Sequence, residues 1–124
     1  MAVDPYTATL AWARRKYGRQ IGAGFDRHVF AESATRVIKV PRDDVGEYCN
    51  DNEALESPTD ARYAWCESFQ HPRTGVLLLR MERVVRFPTA RDKLPDWVGC
   101  IDSGQVGWTA DGRLVAYDWV SLRR

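Results

Sequence analysis

The chain has 124 residues, 44% apolar and 28% charged, with a formal net charge of +1. That is enough chain for one domain with its own core, and the near-neutral charge argues against a strong electrostatic draw toward nucleic acid or an anionic membrane. Cys49, Cys66 and Cys100 are widely spaced and form no CxxC pair, which argues against a disulfide framework and a structural zinc site. Asp4-Pro5 is a helix-opening pair, and Tyr6, Leu10 and Ala13 fall on one face with Trp12 beside them. Arg14, Arg15 and Lys16 suit the last turn of that helix, and Gly18 suits its stop. A first strand is expected at Gln20-Ile21, a turn at Gly22-Ala23-Gly24 and a second strand over Arg27–Ala31. Arg36–Val40 alternates Val37 and Lys39 on one face with Ile38 and Val40 on the other.

Asp43 or Asp44 can cap a helix reaching about Glu56, which Ser57-Pro58 stops. Ala61–Phe69 is aromatic-rich and strand-like, and Gln70–Gly75 reads as a hairpin loop. Val76–Val85 is a nearly continuous apolar run, expected to be one central strand buried on both faces. Thr89–Val98 reads as a short helix. Gln105–Thr109 and Arg113–Asp118 flank Ala110-Asp111-Gly112, the clearest hairpin signal in the chain. The sum is an α+β pattern with an antiparallel sheet. No apolar signal core and no membrane-spanning run is seen, so a soluble cytoplasmic protein is expected.

Gly22-x-Gly24-x-x-x-x-Val29 has the spacing of the protein-kinase glycine-rich loop, with Arg27 where the third glycine would stand. Val37-Ile38-Lys39 resembles the lysine strand of kinases, and Glu53 on the next helix resembles the glutamate that pairs with that lysine. Gly46-x-x-x-Asn50-x-x-Glu53 resembles the same helix in small kinase-like proteins of bacteria and their viruses, and Met81-Glu82-Arg83-Val84 resembles the strand entering the hinge. Further on, Cys100 stands at the catalytic aspartate position, Gln105 at the metal-binding asparagine and Asp118 at the metal-binding aspartate, with Val120 where a glycine is expected. The resemblance covers residues 17–120 and rests on several motifs in the right order.

The resemblance implies an α+β domain with an antiparallel, five-stranded, kinase N-lobe-like sheet, one main packed helix, an N-terminal helix and a C-terminal β-hairpin. It divides a single truncated kinase-like domain (1–124) into an N-lobe-like part over 17–85 and a short helix plus hairpin over 86–124, and the helical lobe that kinases carry after the hinge is expected to be missing. It further implies a vestigial nucleotide site of Gly22, Gly24, Val29, Lys39, Glu53 and Glu82, and a metal held by Asp118 and Gln105.

Phosphoryl transfer depends on positioning and charge neutralisation. Cys100 is no carboxylate base, and the spare carboxylate nearby is Asp102. From the residues alone, Gly22 and Gly24 serve either a phosphate or a plain hairpin turn, and Lys39–Glu53 either holds a phosphate or ties helix to sheet. With these changes the resemblance implies a catalytically inactive, pseudokinase-like, protein-binding module without a cofactor, and on the resemblance alone a bacteriophage inhibitor of a host defence or regulatory protein. Trp97, Trp108 and Trp119 are its interface candidates, for a host protein or a second copy of the chain. The alternative is a minimal ATP- and magnesium-dependent kinase or nucleotidyl transferase using Asp102 and Asp118. A third reading, nucleic-acid binding through Arg14, Arg15, Lys16 and Arg19, is disfavoured by the charge.

Overall fold

A computed structural model describes residues 3–100 and 105–117. It is an α+β fold of two antiparallel sheets and two helices. Helix α1 (Pro5–Tyr17) starts at Asp4, whose carboxylate accepts the Thr7 amide, and ends at Gly18, whose positive φ of 82° turns the chain out. Strands β1 (Gln20–Ala23), β2 (Arg27–Ala31) and β3 (Arg36–Pro41) form a meander. Helix α2 (Asp44–Glu56) follows, capped by the Asp43 carboxylate on the Gly46 amide. Strands β4 (Cys66–Gln70) and β5 (Leu77–Glu82) complete a five-stranded sheet in the order β1-β2-β3-β5-β4. The second sheet has three strands, β6 (Val84–Arg86), β7 (Val106–Thr109) and β8 (Leu114–Ala116), in that order.

The period-two alternation of β3 divides the interior in two. Ile38 and Val40 pack with Phe30, Leu78 and Ala13 beneath α1, joined by Leu10, Trp12, Tyr17 and Phe69. Val37 points the other way and packs with Cys49, Cys66, Leu79 and Met81, and with Val106, Val115 and Ala116 of the second sheet. The large sheet is therefore a middle layer, with α1 on one face and α2 plus the small sheet on the other. Each fully buried Val, Leu, Ile or Phe contributes roughly 1.5–3 kcal/mol relative to exposure, so neither face can be left open.

Several expectations about boundaries need correction. The first strand runs through Gly22 to Ala23, and the turn is Gly24–Asp26. The strand-like stretch 61–69 is a strand only from Cys66; before it the chain is held by backbone bonds to β8, Ala64 N–H to the Ala116 carbonyl and Ala116 N–H to the Arg62 carbonyl. Val76–Val85 is not one strand. It breaks at Arg83, whose amide makes the last in-register bond to β3 at the Thr35 carbonyl, and β6 beyond it enters the second sheet with Val85 exposed. The expected C-terminal hairpin forms, but β6 pairs with it, so it is not a free appendage. Thr89–Val98 is largely irregular, with a single 3-10 turn at Asp96–Cys100. Pro95 just before that turn, with Pro88 earlier, is poorly suited to a longer helix.

The β1–β2 turn is pressed against the start of α2. A Cβ on Gly46 would stand 2.4 Å from the Asp26 carbonyl oxygen and 2.8 Å from Pro41 Cβ. Gly46→Ala should therefore lower stability by on the order of 1–3 kcal/mol in urea unfolding, whereas Gly24→Ala, which meets nothing, should cost clearly less. Equal losses in the two variants would contradict the close approach.

His71 closes the β4–β5 turn. Its Nδ1 accepts the Arg73 and Thr74 amides, both at 3.2 Å, and its ring stands edge-on to Trp12 at 4.6 Å. Burial first, then Arg73 and Lys16, hold its pKa below the ordinary histidine value, and burial also lowers that of His28. The unfolded chain then binds more protons near pH 6.5 than the folded one, so stability rises with pH through that region. Between about pH 5.5 and about pH 7.5 this rise should be smaller in His71→Asn than in the parent chain, leaving the part due to His28. A rise of unchanged size would assign it to other groups.

Candidate functional site

Lys39 lies in β3 beside Val29 of β2 and Leu79 of β5, on the face that α2 covers. It is 5% exposed, an extreme value for a lysine. Its Nζ donates to Glu53 Oε1 at 2.9 Å and to the Tyr117 backbone carbonyl at 2.7 Å. Glu53, on the inner face of α2, is fully buried. Its other oxygen, Oε2, stands 2.5 Å from Arg27 Nη1 as an ion pair without the alignment of a hydrogen bond. Arg27 Nη1 also donates to Asn50 Oδ1 at 3.1 Å. Asn50 in turn gives its amide hydrogens to the Lys39 carbonyl at 3.3 Å and the Leu77 carbonyl at 2.8 Å. One carboxylate thus faces two cations, and an amide side chain ties both the helix and the sheet to them.

The surroundings reinforce the burial. Cys66 Sγ points at the Glu53 carbonyl at 3.2 Å, and burial pushes this thiol up to about 12, so it remains a neutral donor. Glu47, nearer the start of α2, accepts the Leu77 amide at 2.9 Å and the Tyr6 hydroxyl. The Tyr6 phenol is pushed up to about 12, chiefly by that bond to Glu47.

The expected site residues separate into groups. Lys39, Glu53 and Val29 converge. Gly22 and Gly24 lie at the β1–β2 end; neither has a positive φ, and an added Cβ would meet only Val29 at 3.7 Å from Gly22 and nothing from Gly24. The fold itself therefore does not demand glycine at either position. Glu82 does not join Lys39. It pairs across the sheet with Arg36, on the opposite face, and accepts the Trp65 amide at 2.9 Å and the Arg113 guanidinium. Cys100 is an exposed free thiol at the end of the 3-10 turn, and the Gln105 carbonyl accepts the Tyr117 amide at 3.2 Å. Asp102, Asp118 and Trp119 lie outside the described residues.

Trp97 and Trp108 are half-buried, not bare. Trp97 packs against the core with Arg62 about 6.0 Å from its ring centre, and Arg86 stacks 3.7 Å over Trp108. Exposed apolar groups include Phe25, 96% exposed at the β1–β2 turn, Val45, Tyr48 and Leu55 along α2, and Val85 and Phe87 on either side of Arg86.

Two residues of the site were missed by sequence reasoning although the signal was present. Arg27 is two residues before Val29, so strand alternation puts it on the Lys39 face; Asn50 is one helical turn before Glu53. The Tyr117 carbonyl carries no side-chain signal at all. Among the described residues no group of three or more His, Cys, Asp or Glu side chains is placed to hold a metal, and no helix is long and apolar enough to cross a membrane. Comparison with protein-family models, curated proteins and solved structures finds no match to this chain.

Removing one partner from a buried ion cluster leaves the others uncompensated. Glu53→Ala leaves two buried cations without their carboxylate and should cost about 3–5 kcal/mol in urea unfolding. Lys39→Met leaves Glu53 paired with Arg27 and should cost distinctly less. The reverse ranking would show that Arg27 does not share the carboxylate.

Proposed function

We propose that this chain is a kinase-like domain without phosphoryl-transfer activity that works as a protein-binding module. The observation that carries this reading is the state of the Lys39 amine. Two of its three N–H donors go to Glu53 and to the Tyr117 carbonyl, in a setting almost closed to water. A nucleotide phosphate would have to displace the end of β8 to reach it. The helix after the lysine strand does bring a glutamate to that lysine, which is the pairing the kinase resemblance implies. Here that pairing serves to lock α2 and the small sheet onto the large one. In this reading the Lys39 amine is engaged within the chain and not by a nucleotide phosphate.

The binding surface in this reading is the exposed apolar group of Phe25, Val45, Tyr48 and Leu55. Val45, Tyr48 and Leu55 recur at helical spacing on the outer side of α2, and the close approach of Asp26 to Gly46 brings the Phe25 turn to the start of that helix. Large aromatic groups presented this way are the usual anchors of protein interfaces. The resemblance to small kinase-like proteins of bacteria and their viruses extends the reading to a phage product that acts in the host cytoplasm on a host defence or regulatory protein.

The second reading is a minimal kinase or nucleotidyl transferase. One observation favours it: Gly22 and Gly24 are glycine where the fold does not require it, which leaves room for a ligand to approach the backbone. Thermal unfolding with and without magnesium ATP separates the two readings, because a ligand that binds only the folded state raises the midpoint. We expect a shift of less than about 1 °C at millimolar nucleotide. A rise of several degrees that vanishes in Lys39→Met, or transfer of labelled phosphate, would establish the enzyme reading instead.

A further inference from the structure

A cleft of about 490 Å³ opens at the end of the large sheet away from Lys39, between the start of β3, the end of β5 and the β7–β8 turn. This lies within the size range of small-ligand sites. Three guanidinium groups line it, from Arg36, Arg83 and Arg113, with two carboxylates, from Glu82 and Asp111. Both carboxylates are directed at Arg113: Glu82 forms a direct ion pair with it, and Asp111 Oδ2 lies 3.4 Å from its Nε. Among the described residues, no carboxylate forms an ion pair with Arg36 or Arg83. Arg36 stacks 4.2 Å over the Trp65 ring, and Arg83 spends one donor, Nη1, on the Ser33 carbonyl at 3.1 Å. Most donors of two guanidinium forks are therefore left facing a cleft that has an aromatic wall.

Four arginines on the sheets and their loops are held in another way. Arg27, Arg62, Arg80 and Arg86 each meet a carboxylate within ion-pair distance. Arg80 is a useful contrast, because it stands beside Arg36 on the same sheet face, stacks on Phe69 in the same manner, and yet is bound by both Glu32 and Glu67. Arg36 has the stack without an ion pair among the described residues, although the charge of Glu32, which Arg80 holds, is felt nearby. A planar fork of this kind matches the geometry of a phosphate or carboxylate group.

We propose that this cleft is a binding site for an oxyanion carried on a small aromatic ligand, held by Arg36 and Arg83 with Trp65 as its flat wall. Parity along β3 puts Arg36 and Lys39 on opposite faces of the sheet, so this site is separate from the Lys39 cluster and does not depend on the function proposed above.

The test is isothermal titration of the full chain with phenyl phosphate and, in a parallel arm, benzoate, at low ionic strength. Binding in the millimolar range is expected, weakened at least about tenfold by Arg36→Ala and by Arg83→Ala, and reduced by added salt. Phenyl phosphate alone would identify a phosphate ligand; both probes together would identify a general oxyanion site. Arg91→Ala, an exposed arginine that does not line the cleft, should bind as the parent does. Arg83→Ala keeps the test valid should Arg36→Ala disturb the Trp65 stack and the fold. No binding of either probe by the parent chain at about 10 mM, equal binding by the arginine variants, or an equal loss in Arg91→Ala would each overturn the proposal.

Discussion

The structure depends on a single buried carboxylate. Glu53 meets both Arg27 and Lys39, and those three side chains come from α2, β2 and β3. Burying charges is costly, and a buried cluster is poor evidence of net stabilisation. What it does supply is registration. Lys39 and Arg27 reach Glu53 only if β2 and β3 pair as they do and α2 lies at one rotation on the sheet. Asn50, one turn earlier, repeats the requirement through the Lys39 and Leu77 carbonyls. The helix has few apolar residues on its inner face to set that rotation: its buried positions are Gly46, Cys49, Asn50 and Glu53. Polar contacts therefore specify a geometry that hydrophobic packing alone would leave loose.

The second sheet is placed by the same cluster. Its backbone reaches Lys39 through the Tyr117 carbonyl, while Val106, Val115 and Ala116 fill the space beside Leu79 and Met81. Gly107 permits this, because a Cβ there would meet Val84 Cγ1 at 2.1 Å and the Arg86 carbonyl at 2.9 Å. The tight β6–β7 contact turns the chain after β5 back under the large sheet. Lys39 Nζ is thereby joined to the backbone of the small sheet's end as well as to Glu53.

Much of this was legible in the sequence. The cap residues, the three-strand meander, the helix from Asp44 to Glu56 and the Asp-Gly hairpin follow from local chemistry, and the alternation across Val37–Val40 sorted the two faces correctly. The strand break at Arg83 was not legible, because a run such as VLLLRMERVV has no turn residue in it. The break is tertiary: past the Arg83–Thr35 bond the chain leaves β3 and pairs with β7 instead, Val84 with Thr109 and Arg86 with Trp108. The kinase resemblance groups Glu82 with Lys39 in one nucleotide site by order along the chain; the pleat puts their side chains on opposite faces of the sheet. The tryptophans show how stacking changes what a sequence suggests. Large aromatics invite an interface reading, yet Trp97 and Trp108 are packed or stacked under arginines.

Arginine stacking on aromatic rings recurs at Trp65, Phe69 and Trp108. Such a stack holds a guanidinium in one plane and covers apolar surface without consuming its in-plane donors. Whether the donors are then free depends on the carboxylates within reach. At Phe69 and Trp108 they are answered, by Glu32 and Glu67 for Arg80 and by Asp92 for Arg86. At Trp65 the nearby acid, Glu82, is already committed to a backbone amide and to Arg113. The same interaction that draws the β7–β8 turn toward the end of β5 therefore leaves Arg36 positioned and planar, with no ion pair of its own among the described residues. The geometry that closes the Lys39 face and the geometry that exposes the Arg36 cleft share one cause, the docking of the small sheet against the end of the large one.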